Sequence, residues 1–180
     1  GVIVEIGSFL GRSTHYLATS LMNANKEDVK IYCIDTFEGS SEHANIKLPK
    51  DFMHMTRENL KFFVGRNMVN LCQGRSDSKD ILDKFADESV DYVMVDGAHE
   101  YEPVRDDVIN WWPKLKKDGI MFGDDVELTS VFEGMKAGLR DRGMPTYGTN
   151  SGREQTWYCT RNGDNQGLEK LIPGVNVLHE

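Results

Sequence analysis

The chain alternates short apolar, β-branched runs with longer segments of helical period. Val2, Ile3, Val4 and Ile6 form the first run, the pattern of a strand buried on both faces of a parallel sheet. From Ser13 the period changes: Thr14, Leu17, Ala18, Leu21 and Met22 share one helical face. Further strands are predicted over Lys30–Ile34, Val69–Cys72, Val90–Val95 and Gly119–Phe122. Helices are predicted from Asp51 to about Val64, around Ile81–Phe85, from about Tyr101 to Leu115, and over Val131–Leu139 with Gly143 as the stop. Two closing strands fall near Pro145–Tyr147 and Gln155–Cys159, and the tail from Asn162 to Glu180 carries no pattern. This is one α/β domain spanning 1–180, a doubly wound, mostly parallel seven-stranded sheet with helices on both faces. The polar stretch Ser40–Lys50 and the helix after it make 38–66 a lid-like insertion. Trp111 and Trp112 share spacing with Val104, Val108 and Leu115, which assigns at least one of them to the core; Trp157 is also read as packing.

Composition narrows the partners. A formal net charge of −8 argues against a nucleic-acid backbone, which needs clustered Lys and Arg. No apolar run approaches a membrane span. Cys33, Cys72 and Cys159 lack metal-ligand spacing and read as reduced, buried thiols of a cytoplasmic protein. The chain opens inside its first strand, which leaves room for an upstream segment. Oligomeric state is open, with a homo-oligomer admitted.

In such a sheet, ligands gather at the carboxyl ends of the strands, where Gly7, Asp35, Ser76, Asp96 and Asp124 all fall. A carboxylate at Asp35 can accept from both hydroxyls of a ribose, or serve as a turn residue. Ser76 and Asp77 can hydrogen-bond an adenine amino group or cap the next helix. Asp96, Asp124 and Asp125 end neighbouring strands, and carboxylates that close repel one another unless a cation joins them. All-oxygen ligands point to Mg²⁺, with Ca²⁺ or Mn²⁺ as substitutes. The alternative is that one aspartate caps a helix and another faces solvent.

The first turn reads E-x-G-x-x-x-G-x-S, with Phe9 where a dinucleotide fingerprint needs its middle glycine. It resembles motif I of the class I S-adenosylmethionine-dependent methyltransferases. The resemblance implies that Glu5, Gly7, Ser8, Gly11 and Ser13 contact the cofactor, with Asp35, Ser76, Asp77 and Asp96 completing its site. The stretch V-D-G-A-H-x-Y, followed by W-x-P-x-L-x-x-x-G-x-x-x-x-D-D, resembles the group containing macrocin O-methyltransferase and the cephalosporin-hydroxylase-like proteins, as does Asp35-Thr36-Phe37-Glu38-Gly39. The resemblance covers residues 2 to about 126. It implies Mg²⁺ at Asp96, Asp124 and Asp125, and methyl transfer to a hydroxyl of a sugar, polyol or natural product.

One position departs. That group places a second acid, its general base, where this chain has Ala98. His99 is the candidate base beside Asp96, since an imidazole near its ordinary pKa of about 6.5 can accept a hydroxyl proton at neutral pH. A backbone-bonded histidine, or one stacked on Tyr101, is the competing reading. His43 and His54 are weaker candidates. Two further functions stay open on this layout: a nicotinamide-dependent oxidoreductase, and a non-catalytic nucleoside-binding module.

Overall fold

The computed structural model describes residues 1–39, 51–140, 142, 147–149, 156–163 and 175–177. Its elements in chain order are β1 (Val2–Ile6), α1 (Arg12–Asn23), β2 (Lys30–Asp35), α2 (Phe52–Asn59), α3 (Lys61–Gly65), β3 (Val69–Gln73), α4 (Lys79–Leu82), β4 (Val90–Val95), α5 (Tyr101–Trp111), β5 (Leu115–Gly123), α6 (Thr129–Arg140), β6 (Tyr147–Thr149), β7 (Trp157–Thr160) and β8 (Val175–Val177). They build one sheet in the order β3-β2-β1-β4-β5-β7-β6-β8. The first five strands of that order run parallel, and β7, β6 and β8 pair antiparallel in turn. Among the described residues the sheet therefore has eight strands where seven are expected. The extra one is three residues long, too short to leave a periodic signal in the tail.

Side-chain alternation along the strands feeds two cores. Val4, Ile6 and Ile34 point into a cluster with Ile81, Phe85, Val104, Trp111 and Met135, under α4, α5 and α6. Ile3, Ile31 and Cys33 point the other way, into a cluster with Ala18, Leu60 and Phe63. Trp111 and Trp157 are both fully buried, as packing predicts. Gly134 and Gly138 let α6 approach α5 closely; a Cβ at Gly138 would come within 2.7 Å of Val108.

Boundaries move where tertiary packing overrides local pattern. The helix predicted from Asp51 to Val64 is two helices, because Leu60 leaves helical geometry and inserts into the core against Gly11. Asp51 does cap it, accepting from the His54 N–H at 3.3 Å. α5 ends at Trp111, and Leu115 opens β5. Ser40–Lys50 of the insertion, with His43, lies outside the described residues, as does Gly143.

Order along the sheet reverses at β1, with β2 on one side and β4 on the other. The crevice above that switch point holds the site.

Candidate functional site

The turn after β1 is shaped by the strand beside it. Gly7 has φ +87°, and a Cβ there would lie 2.0 Å from the Asp96 carbonyl oxygen, so only glycine lets the tips of β1 and β4 meet. Alternate amides of the loop, those of Gly7, Phe9 and Gly11, are bonded within the protein. Phe9 N–H donates to Asp35 Oδ2 at 2.9 Å, and Gly11 N–H to the Ser8 carbonyl at 2.7 Å. Phe37 N–H takes Asp35 Oδ1 at 2.7 Å. Asp35 thus binds loop backbone through both oxygens, and the residue lines the crevice with a second lone pair left on each.

A cavity of about 690 Å³ opens here, within the range of small-molecule sites. Gly7, Ser8, Ser13, Asp35 and Ser76 line it, and so do Asp96, His99, Asp124 and Asp125. Three expected residues do not. Glu5 is only 1% exposed and faces α1, where Ser13 and Thr14 hydroxyls donate to its two oxygens and the Cys33 thiol adds a third contact. Its carboxylate ties β1 to the first turn of α1, a structural role that alternation along β1 imposes. Gly11 stands at the head of α1 with φ +81°, pressed against Leu60. Asp77 turns to Arg75, whose Nε and Nη2 hold its two oxygens at 2.9 and 2.7 Å and keep its pKa below the usual carboxylate range. Neither Ser76 nor Asp77 caps α4; Ser78 occupies that position.

At the β4–β5 end, Asp96, His99 and Asp125 each bring one ligand atom within 4.8 Å of the others. His99 Nε2 lies 2.9 Å from Asp125 Oδ2. Asp125 holds a left-handed backbone, φ +57°, directly after β5. Burial, then the charges of Asp124 and Asp125, push Asp96 up to about 7, with His99 opposing. Asp124 lines the same cavity without joining the three-residue cluster. His54, on exposed α2, is not among the cavity residues.

Sequence reasoning missed Asp107. It lies on the inner face of α5, 5% exposed, and accepts from Ser76 Oγ at 2.5 Å. Its burial lifts the acid to about 7. The signal was present: Asp107 falls between Val104, Val108 and Trp111 on the apolar stripe, where an unpaired acid has no reason to be. With it, six carboxyl groups (Asp35, Asp96, Glu100, Asp107, Asp124, Asp125) line the cavity against Arg12, Arg75 and His99.

The family model described as a methyltransferase domain matches residues 4–126, which hold both glycine turn and acidic cluster. The chain belongs to this family. A Sinorhizobium fredii protein designated y4gI is 28% identical over 126 residues; the match takes in 70% of this chain and 13% of that protein, so the chain spans a small part of the relative's length. Solved structures share the fold. The O-methyltransferase NovP superposes with a TM-score of 0.67 at 18% identity, covering 89% of this chain and 72% of NovP. CalS11, a TDP-rhamnose 3′-O-methyltransferase of calicheamicin biosynthesis, gives 0.68 at 20% identity with the same coverage. An O-methyltransferase family protein from Burkholderia thailandensis gives 0.62 at 12% identity, covering 91% of this chain and 51% of that one. No helix among the described residues of the methyltransferase domain is long and apolar enough to cross a membrane.

Proposed function

We propose that the domain moves a methyl group from S-adenosylmethionine to a hydroxyl of a small molecule such as a sugar, polyol or natural product, with a divalent cation assisting. The carrying observation is the convergence of Asp96, His99 and Asp125 in the crevice beside the Gly7 turn. Family membership supports the cofactor.

The residues present suit both groups. A cavity rich in carboxyl groups attracts a sulfonium and an ammonium, and repels the diphosphate of a nicotinamide dinucleotide. Phe9 stands where a dinucleotide turn needs its middle glycine, and its own amide is bonded to Asp35. Ser8 lines the cavity, with its hydroxyl buried beside the Cys33 thiol. Gly7, Ser8 and Ser13 would hold the methionine part, and the remaining lone pairs of Asp35 the ribose.

When bound, the cofactor supplies a methyl group already electrophilic on its sulfonium. The chain's own work is to align the acceptor oxygen and remove its proton. Asp125 orients His99, and His99 accepts the proton from the hydroxyl. Asp96 and Asp125, with Asp124 nearby, would hold the cation, which lowers the pKa of a bound hydroxyl. An all-aspartate set suits Mg²⁺; entry of His99 as ligand shifts the preference toward Mn²⁺. The direct His99–Asp125 pair favours a second reading, in which proton transfer proceeds without metal.

The test is calorimetry with S-adenosylhomocysteine in Mg²⁺, Mn²⁺ and chelator, followed by a screen of hydroxylated acceptors. Micromolar binding and cation-dependent turnover are expected. Turnover unchanged in chelator selects the metal-free reading. Absence of binding by folded protein overturns the cofactor assignment.

A further inference from the structure

We infer that Asp107, held by Ser76, is the residue that reads the nucleobase of the cofactor. The inference rests on the cofactor reading above and goes beyond it to a named specificity determinant.

The placement follows from the sheet. Asp35 ends β2, and the tip of β3 is its neighbour: Gly74 N–H donates to the Asp35 carbonyl at 2.9 Å. Adjacent strands lie about 4.8 Å apart. A base attached to a ribose over Asp35 therefore reaches the β3 tip, where Gly74 and Ser76 line the cavity. Ser76 is fixed from two sides. Its carbonyl accepts from Trp111 Nε1 at 3.2 Å, and its hydroxyl donates to Asp107 Oδ1. Asp107 also lines the cavity, and no described residue hydrogen-bonds its Oδ2. This oxygen is not sealed off with the buried unpaired atoms, so it stays open to a donor entering the cavity. Pro103 and Ala98 add apolar surface to the same cavity, as a flat aromatic base requires.

Adenine fits this oxygen in either protonation state. Its amino group donates to an ionised or carbonyl Oδ2, and the adjacent ring nitrogen accepts from a protonated one. The charged groups around Asp107 are Arg75 and Asp77 on the β3–α4 loop and Asp106 on its own helix. Burial raises the acid to about 7, and a partner offering both a donor and an acceptor matches either state.

The experiment compares S-adenosylhomocysteine with its 6-deamino purine analogue by calorimetry on the whole chain. Wild type should prefer the adenine compound by about tenfold or more, and the preference should grow from pH 6 to pH 8 as Asp107 ionises and loses its bond to the analogue. Asp107→Ala should bind both compounds equally, with the adenine compound weakened to the level of the analogue. Asp107→Asn keeps an acceptor for Ser76 but turns an N–H donor toward the base, so it should lose the preference for the adenine compound at every pH. A folded Asp107→Ala protein that keeps the wild-type preference overturns the inference. So does an Asp107→Asn protein whose preference follows the wild-type pH profile. Wild type that binds neither compound removes the cofactor reading, and this inference with it.

Discussion

The amide of Phe9 and the carboxylate of Asp35 are joined at 2.9 Å across the tips of β1 and β2. Phe9 pays for its place with a positive φ of 46°, strained for a phenylalanine. Asp35 also holds Phe37, itself at φ +57°. One side chain therefore shapes two strained loops that border the cavity.

Asp35→Ala should release both amides and weaken S-adenosylhomocysteine binding at least about tenfold, with a lower Tm. Asp35→Asn retains a single good acceptor and should fall between wild type and Ala in both measurements. A variant with unchanged Tm but lost affinity would assign Asp35 to the ribose alone, without the loop-holding role.

Gly7→Ala places a methyl group onto the Asp96 carbonyl in a backbone region that L-residues avoid. Urea denaturation should show a loss of about 2 kcal/mol or more. Near-wild-type stability would mean that β1 and β4 separate at little expense.

Asp107 predicts a pH effect of definite sign. Its pKa is raised by burial from 3.8 to about 7, so the folded chain binds a proton that the unfolded chain releases between those values. Its contribution to stability is therefore greatest at low pH, declines as pH rises from about 4 to 7, and is flat above. Subtracting the Asp107→Asn profile from wild type should isolate that slope, on the order of a few kcal/mol across the window. A flat difference would show that the acid titrates normally.

Cation binding at the β4–β5 end should raise Tm by several degrees at saturating Mn²⁺ or Mg²⁺. Asp125→Asn and His99→Ala each remove one corner of the cluster, and chelator should bring wild type down to the level of either variant. If His99→Ala keeps the full shift, the imidazole is no ligand, and its place as the base is strengthened.

Strand ends were the most legible part of this chain. A β-branched run followed by Gly or Asp states both the strand and its carboxyl end, and nine of the expected site residues do line one cavity. What escaped depended on which face a residue serves. Glu5 looks like a ligand-facing acid in the motif, yet the alternation that sends Val4 and Ile6 to one core sends Glu5 to the other side, onto the hydroxyls of α1. Asp107 escaped for the opposite reason: helical period placed it inside, where acids are not sought. The break at Leu60 arises from packing against Gly11, a partner 49 positions away that no local pattern records.

The insertion between β2 and β3 is stitched to the glycine turn. Thr56 Oγ1 donates to the Phe9 carbonyl at 2.8 Å, Asn59 Nδ2 to that of Leu10 at 3.0 Å, and Phe52 stacks at a tilt on the Phe9 ring, 5.1 Å between centroids. This seam has a consequence for chimeras. Grafting another domain's insertion would break these contacts and disturb the glycine turn that lines the cavity, so insertion and turn are inherited as one block. Exchange of the insertion together with residues 7–13 is the transplant that keeps the seam intact.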